Sequence, residues 1–166
     1  VVKNVHHCDI RSLYPSLMLS KKICPSKDEL GVFLKLLELL RTVRFKAKED
    51  MQNSRSTSER SYFDALQATF KILINSFYGY LGFSRARFGD FAAAERITAE
   101  GRRILSDMIA WLKKHGAVPV EIDTDGIYFV PPVKGALGVD AFRALFAKSL
   151  PEGIDVEFDG EYVSMV

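Results

Sequence analysis

The strongest constraint on the fold is a short turn that carries two carboxylates between two apolar runs. Residues 118–122 and 127–130 are predicted to be β-strands, and the Asp-Gly step at residues 125–126 indicates a tight hairpin turn between them. Asp123 and Asp125 are therefore expected at the tip of a hairpin. Neighbouring carboxylates repel each other, and a divalent cation with oxygen ligands relieves that repulsion. The same residue types also occur in solvated turns for conformational reasons, so the turn alone leaves both interpretations open.

Length and composition indicate a soluble, folded chain of one-domain size. It has 166 residues, of which 48% are apolar and 27% are charged. Cys8 and Cys24 have neither the spacing of a metal site nor that of a disulfide framework, and no signal peptide or long apolar span is present. We therefore expect an intracellular protein, cytoplasmic or nucleoid-associated, with no disulfide and no membrane partner. Both termini lie in apolar sequence, so we expect the chain to be cut from a longer protein.

The charges are distributed unevenly along the chain. Residues 1–120 hold 20 Lys and Arg against 12 Asp and Glu, whereas residues 121–166 hold 3 against 9. The first segment therefore has a net charge of +8 and the second a net charge of −6. A basic body beside an acidic segment is compatible with a polyanionic ligand next to a metal site, and it is equally compatible with ordinary solvated surfaces.

Strand-like sequence at residues 1–8 leads into Asp9. A Ser-Tyr-Pro turn follows, and then an apolar stretch at residues 16–23 that we predict to be helical. Asp9 is thus expected at the end of an element, where functional sites are commonly built, although capping the following helix is an alternative role. His6 and His7 are adjacent on the predicted strand and point to opposite faces, so we do not expect them to share a zinc ion.

Residues 30–48 and 62–80 show helical periodicity and are predicted to form an antiparallel helical hairpin around a polar loop at residues 50–61. We expect Gly79 and Gly82 to end the second helix. The first helix carries Arg44 and Lys48 on one stripe. The second helix carries a polar and aromatic stripe at steps of four, four and three residues: Gln67, Lys71, Asn75 and Tyr78. Such a pair of helices predicts a cleft that grips phosphate, with solvated faces as the alternative.

The rest of the chain is predicted to contain a helix at residues 93–115, a helix at residues 139–149 and a strand at residues 154–158. A basic loop at residues 85–90 weakly indicates contact with nucleic acid.

Three stretches in this order carry a resemblance to a known family. They are residues 9–16 (DIRSLYPS), residues 71–79 (KILINSFYG) and residues 123–125 (DTD), and they resemble the three polymerase motifs of family B DNA polymerases. The sequence between them is also similar to that family: residues 36–48 resemble its first fingers helix, and residues 85–88 and 96–102 resemble its palm. Essentially the whole chain is covered.

The resemblance implies an α+β fold. It implies a polymerase palm, built on an antiparallel sheet packed by helices, and an inserted antiparallel two-helix fingers hairpin. Residues 1–30 would form the first part of the palm with motif A, residues 31–80 the fingers with motif B, and residues 81–166 the second part of the palm with motif C. The exonuclease and thumb domains of the family are absent from this chain and are expected as partners.

The resemblance also implies template-directed DNA synthesis, in which a primer 3′-hydroxyl attacks a dNTP with the help of two Mg²⁺ ions, or Mn²⁺ as a substitute. The partners are then primer–template DNA and dNTP. The implied metal ligands are Asp9, Asp125, the backbone carbonyl of Ile10 and, as a supporting carboxylate, Asp123. Implied nucleotide contacts come from Arg44, Lys48, Lys71 and Asn75 at the triphosphate, the backbone of Ser12, Leu13 and Tyr14, and Tyr78 under the new base pair. Tyr14 resembles the family's sugar discriminator, and Lys71 is also counted with the catalytic residues.

One residue departs from the family pattern: Gly126 follows the Asp-Thr-Asp triplet where the family often has Ser, and we expect a tolerated variant. The isolated piece is expected to have little or no activity, since it lacks a thumb to grip duplex DNA. Two alternatives belong to other classes of protein. One is a non-catalytic nucleic-acid-binding αβ module with relic polymerase motifs, and the other is a palm-type nucleotide cyclase, against which the basic fingers hairpin argues.

Overall fold

A computed structural model describes residues 1–132 and 138–166. The elements follow in the order β1 (Val2–Ile10), α1 (Leu13–Ser20), α2 (Val32–Asn53), α3 (Thr57–Leu81), α4 (Phe91–Lys114), β2 (Val118–Asp123), β3 (Gly126–Val130), α5 (Val139–Lys148) and β4 (Val156–Met165). In the described part of the chain, five helices accompany one four-stranded antiparallel sheet. The predicted α+β class is therefore confirmed.

The sheet has the strand order β2-β3-β1-β4, so β1 is central and pairs antiparallel with both β3 and β4. Opposite Asp9, β3 contributes Gly126 and β4 contributes Glu157. The pairing of β1 with β4 shifts by one residue between His7 and Asp9, because β4 has an extra residue there. Asp123 pairs with Gly126 and closes the predicted β2–β3 hairpin. The end of β1 and the tip of the hairpin consequently lie side by side.

The chain divides into two compact units. We call Val1–Ser16 with Ala99–Val166 the sheet unit and Leu17–Thr98 the hairpin unit. In the sheet unit, α5 packs on one face of the sheet through aromatic rings: Phe142 lies 6.1 Å from Phe129, and Phe146 lies 6.2 Å from Phe158. Trp111 of α4 also contacts this cluster. These apolar contacts hold the sheet in one twist and register, since burial of aromatic surface dominates core stability.

In the hairpin unit, α2 and α3 pack against each other, with Phe33 near the start of α2 and Phe77 near the end of α3 at 4.9 Å between ring centroids. The predicted antiparallel helical hairpin is confirmed. α2 begins at Val32, two residues later than expected, because the Asp28 carboxylate accepts hydrogen bonds from the Val32 and Phe33 N–H groups.

Two details of the predicted hairpin are wrong. The loop spans only residues 54–56 and not 50–61, because Ser56 caps α3 by accepting a hydrogen bond from the Glu59 N–H. The Ser-x-x-Glu spacing is a capping-box signature that starts a helix in polar sequence. Gly79 does not end α3, which continues to Leu81 and is capped by Gly82.

Asp90 joins two segments of the hairpin unit. Its carboxylate accepts a hydrogen bond of 2.8 Å from the Ser26 N–H and one of 2.9 Å from the Ala93 N–H in the first turn of α4. These backbone donors stabilise the charged form and lower the pKa of Asp90 to about 2. The Asp90 side chain therefore caps the N-terminus of α4 and links it to the loop that precedes α2.

We expect Asp90→Ala to lower the free energy of unfolding by about 0.5–2 kcal/mol at neutral pH, the usual cost of losing an N-cap. Because the folded-state pKa of Asp90 lies below its unfolded-state value, this stabilisation is present above about pH 4 and is lost as the pH falls through about 2. Urea unfolding of the wild-type chain and the variant at neutral pH and at about pH 3 measures both effects.

Asp107→Ala is the matched control, since Asp107 is an exposed carboxylate on α4 that pairs only with a surface arginine. The role of Asp90 would be contradicted if its variant lost no more stability than this control, or if the difference from wild type did not shrink on acidification.

Candidate functional site

Asp9 and Asp125 are brought together by the pairing of β1 with the β2–β3 hairpin. Asp9 is half-buried near the end of β1, opposite Gly126, and the Ile10 N–H donates a 3.0 Å hydrogen bond to the Asp125 backbone carbonyl. Asp125 itself lies in the two-residue loop of the hairpin. The two carboxylates that the sequence analysis placed at separate element ends are thus neighbours in the sheet unit.

The hairpin tip is held by local contacts. The Asp125 N–H donates to the Asp123 backbone carbonyl, and the Thr124 hydroxyl donates to the Asp123 carboxylate at 3.3 Å. Thr124 has a φ of 42°, a left-handed value that is unusual for a β-branched residue. Such backbone costs about 1–3 kcal/mol and is found most often at functional sites. The tip therefore holds Asp123 and Asp125 on a strained and defined turn.

The electrostatics of this site disfavour an additional negative charge. Burial raises the pKa of Asp9, and the neighbouring Asp125 raises it further. Asp159 and Glu157 on β4 act in the same direction, whereas His7 opposes them. A cation relieves repulsion between neighbouring carboxylates, and their hard oxygen atoms suit Mg²⁺. The residues present therefore fit a divalent metal.

Other potential metal ligands are not clustered around Asp9 and Asp125 in the part of the chain that the structure describes. Among residues 1–132 and 138–166, no group of three or more His, Cys, Asp or Glu side chains is arranged to hold a metal ion. Asp123 is exposed at the end of β2, and Ile10, whose carbonyl was predicted as a ligand, is a buried residue of β1. Their predicted part in metal binding remains a prediction.

The two adjacent histidines point to opposite faces of the sheet, as expected. His6 is buried against Phe129 and accepts a 2.7 Å hydrogen bond from Arg143 of α5. Burial and the Arg143 charge lower the pKa of His6. His7 lies on the other face, which it shares with Asp9, and hydrogen-bonds to Asp159 at 2.6 Å. The prediction that they do not form a shared zinc site is thus supported by their geometry.

The predicted backbone contacts at residues 12–14 lie where β1 gives way to α1. Ser12 has a φ of 49°, and its carbonyl accepts a 2.9 Å hydrogen bond from the Ser16 N–H. Leu13 is buried and anchors the turn in the sheet unit, while Tyr14 is partly exposed. The predicted contact of this helix start with phosphate oxygens remains a prediction.

The remaining predicted residues lie on the helical hairpin. Arg44 and Lys48 on α2 are partly exposed; on α3, Lys71 and Asn75 are exposed and Tyr78 is partly exposed. Because α2 and α3 pack side by side, the hairpin unit brings both stripes into one two-helix module. The three cations of these stripes, Arg44, Lys48 and Lys71, are within reach of solvent. Their binding of a triphosphate remains a prediction.

Sequence reasoning missed the residues that surround Asp9 on the sheet face. His7 stacks on Tyr128 with ring centroids 4.2 Å apart, and Glu157 forms an ion pair with Arg11. Strand alternation could have placed His7 beside Asp9, since they are two residues apart on one strand. Nothing local in the sequence signals that β4 brings Asp159 to the same place.

In the described part of the chain, none of the helices is both long and apolar enough to cross a membrane.

Comparison with known proteins places this geometry in a family. The sequence profile of DNA polymerase family B matches residues 26–128. The DNA polymerase of Thermococcus sp. (strain 9oN-7) is 32% identical over 186 residues, which cover 96% of this chain and 24% of that protein. The DNA polymerase alpha catalytic subunit of Arabidopsis thaliana is 30% identical over 179 residues, covering 95% of this chain and 12% of that protein.

The fold has a counterpart among solved structures as well. The family B DNA polymerase from the hyperthermophilic archaeon Pyrobaculum calidifontis matches with a TM-score of 0.73 and 25% sequence identity, over 98% of this chain and 24% of that one. The chain thus spans about a quarter of the length of these archaeal polymerases. The profile match extends over more than half of the sequence, and the chain belongs to DNA polymerase family B.

Proposed function

We propose that this chain is part of the catalytic core of a DNA-directed DNA polymerase, which transfers a nucleotide from dNTP to a primer 3′-hydroxyl. The observation that carries the proposal is the pair Asp9 and Asp125, set side by side where the end of β1 meets the loop of the β2–β3 hairpin in a family B chain. In this proposal residues 1–30 and 81–166 contribute the palm, and residues 31–80, with α2 and α3, contribute the fingers. Primer–template DNA and the exonuclease and thumb domains are its partners.

The two carboxylates are the proposed ligands of a pair of Mg²⁺ ions, with the Ile10 carbonyl completing the ligand set and Asp123 supporting it. When bound, these ions supply Lewis acidity that lowers the pKa of the primer hydroxyl and neutralises charge on the leaving pyrophosphate. The proposed role of Asp9 and Asp125 is to hold the ions where negative charge develops during the reaction. Asp9 lies on β1, and Asp125 lies in a tight two-residue loop that the Ile10 N–H holds to β1. This supports their role, because backbone anchored on a strand holds a catalytic geometry more rigidly than a loose loop does.

The cations of the helical hairpin are the proposed grip on the nucleotide. Lys71 and Arg44, together with Asn75 and Lys48, bind the triphosphate oxygens and orient the α-phosphate for in-line attack. The N–H groups of residues 12–14 bind phosphate oxygens at the start of α1. Long flexible cations suit this task, since they can follow charge as it moves toward the leaving group.

Two aromatic residues are proposed to read the shape of the substrate. The ring of Tyr14 fills the space that a ribose 2′-hydroxyl would need, so ribonucleotides are excluded by a clash. Tyr78 lies under the nascent base pair. No side chain reads the base sequence, because the template specifies it through base pairing.

The first test is single-nucleotide primer extension with Mg²⁺ by a chimera in which residues 1–166 replace the matching segment of a complete family B polymerase. We expect extension by the wild-type chimera and a loss of at least about 10²–10³-fold in kcat for Asp9→Ala and for Asp125→Ala, since each removes a charge that the transition state requires. Asp107→Ala, a surface change on α4, serves as the control and should leave kcat unchanged.

A folded chimera that binds primer–template but extends it neither with wild-type nor with variant carboxylates would overturn the proposal in favour of a non-catalytic nucleic-acid-binding module. The isolated 166-residue chain is expected to show at most feeble extension, because few phosphates of the duplex are neutralised without a thumb.

Tyr14→Ala should raise the efficiency of ribonucleotide incorporation by the chimera about 10- to 100-fold relative to dNTP, because it removes the ring that excludes the 2′-hydroxyl. Tyr14→Phe keeps the ring and should keep discrimination. The measurement is the ratio of kcat/KM for the two sugars. Equal ratios for the alanine and phenylalanine variants would remove Tyr14 from this role.

Lys71→Ala should raise the KM for dNTP or lower kcat so that kcat/KM falls about 10- to 100-fold, the worth of a charge-assisted hydrogen bond. The Kd for primer–template should stay unchanged. Lys46→Ala on α2 is the control, since Lys46 is an exposed cation paired with Asp50. A weaker Kd for DNA with normal nucleotide kinetics would instead place Lys71 on the duplex.

A further inference from the structure

His7 fills a space that glycine leaves open at the tip of the hairpin. A Cβ atom at Gly126 would lie 2.5 Å from His7 Nε2 and 3.2 Å from the backbone carbonyl oxygen of Cys8. Real Cβ atoms essentially never approach another atom to 2.5 Å, so any other residue at this position displaces the imidazole. Among the described glycines, a positive φ is found at Gly31, Gly116 and Gly153 but not at Gly126. Glycine is therefore required at this position for room and not for backbone conformation.

The imidazole cannot move aside without losing its contacts. Its Nδ1 lies 2.6 Å from the Asp159 carboxylate on β4, and its ring stacks on Tyr128 of β3 at 4.2 Å and an interplanar angle of 28°. Only 13% of the side chain is exposed. The His7 ring is thus held between side chains of β3 and β4, on the face of the sheet that also carries Asp9.

The His7 ring lies close in sequence and in the sheet to both members of the carboxylate pair. Asp9 follows His7 by two residues on β1, and Asp125 immediately precedes Gly126. A ring that touches residue 126 and is anchored on β4 therefore sets how closely the hairpin tip approaches the end of β1. The pairing of β1 with β4 is irregular at this point, so the contact of His7 with Asp159 adds a side-chain link between these two strands where their backbone pairing is interrupted.

We propose that His7, seated over Gly126 and anchored by Asp159, is a positioning residue that fixes the separation of the Asp9 and Asp125 carboxylates. The inference rests on the proposed function of this pair. His7 contacts neither substrate nor metal in this role; it acts through the hairpin. Gly126 and His7 are accordingly a matched pair, and a change at one is compatible with the site only together with a change at the other.

The test is a double-mutant cycle with Gly126→Ala, His7→Ala and the double variant. Gly126→Ala adds a single methyl group, and Gly138→Ala is its matched control, because a Cβ at Gly138 meets nothing within 4 Å. Each variant is assayed in two ways: for single-nucleotide extension in the chimera, and for binding of Mn²⁺ to the 166-residue chain by electron paramagnetic resonance. Urea unfolding shows that each variant is folded.

We expect Gly126→Ala to lower kcat about 10- to 100-fold, the usual cost of a misplacement of about 1 Å, with the KM for dNTP and the Kd for DNA nearly unchanged. Mn²⁺ binding should weaken in parallel. His7→Ala should also lower kcat, and adding Gly126→Ala to it should have little further effect, because the ring that the methyl group displaces is already gone. Gly138→Ala should behave as wild type.

Asp159→Ala provides an independent variant in case Gly126→Ala does not fold. It leaves the hairpin sequence intact, removes the anchor, and should lower kcat and Mn²⁺ affinity as His7→Ala does, without adding to that effect. The proposal is overturned if the Gly126 and His7 effects simply add, or if the His7 and Asp159 variants lose stability while kcat and Mn²⁺ affinity stay normal.

The two proposals fail in different ways. A wild-type chimera that does not extend primer, while the Mn²⁺ measurements still show the coupling, would refute the polymerase function and keep the positioning role. If the wild-type chimera extends primer normally but the effects of the Gly126 and His7 substitutions are independent, the polymerase function stands and the positioning role is refuted. A chain that neither extends primer in the chimera nor binds Mn²⁺ would overturn both.

Discussion

The antiparallel pairing of β1 with β3 is the interaction on which the candidate site depends. It places Gly126 opposite Asp9 and lets the Ile10 N–H bind the Asp125 carbonyl, so that two carboxylates distant in sequence become neighbours. Because the side-chain period of a strand is two, a slip of one residue would move Asp9 to the buried face with Cys8 and Ile10. The aromatic packing of α5 on the opposite face therefore matters to the site, since it buries that face and so favours the observed register.

The carboxylates around Asp9 repel one another, and this repulsion opposes folding. Burial raises the pKa of Asp9, and three neighbouring carboxylates, Asp125, Asp159 and Glu157, raise it further. Arg11 forms an ion pair with Glu157, and His7 hydrogen-bonds to Asp159, so two of these carboxylates have partners within the unit. Asp9 and Asp125 take part in neither of these two contacts. Carboxylates held close together are a common property of sites that act on charged substrates.

Much of the local structure could be predicted from the sequence. The alternation on either side of the Asp-Gly step predicts the hairpin, and helical periodicity predicts α2, α3, α4 and α5 within a few residues. Errors arose where a polar side chain sets an end: Asp28 delays α2, and Ser56 starts α3 in sequence that reads as a loop. The neighbours of Asp9 could not be predicted, because Asp159 and Gly126 reach it only through long-range register. No local pattern encodes the one-residue shift in β4 that turns Asp159 toward His7.

The distribution of charge acquires a physical meaning once the two units are known. Residues 17–98 carry 14 Lys and Arg against 9 Asp and Glu, whereas the sheet unit carries 9 against 12. The net charges are +5 and −3. Taken separately, the hairpin unit attracts a polyanion, whereas the sheet unit repels one unless cations accompany it. The same reasoning argues against simple electrostatic adhesion to DNA, which needs cations alone and gives no reason to bury a carboxylate beside another.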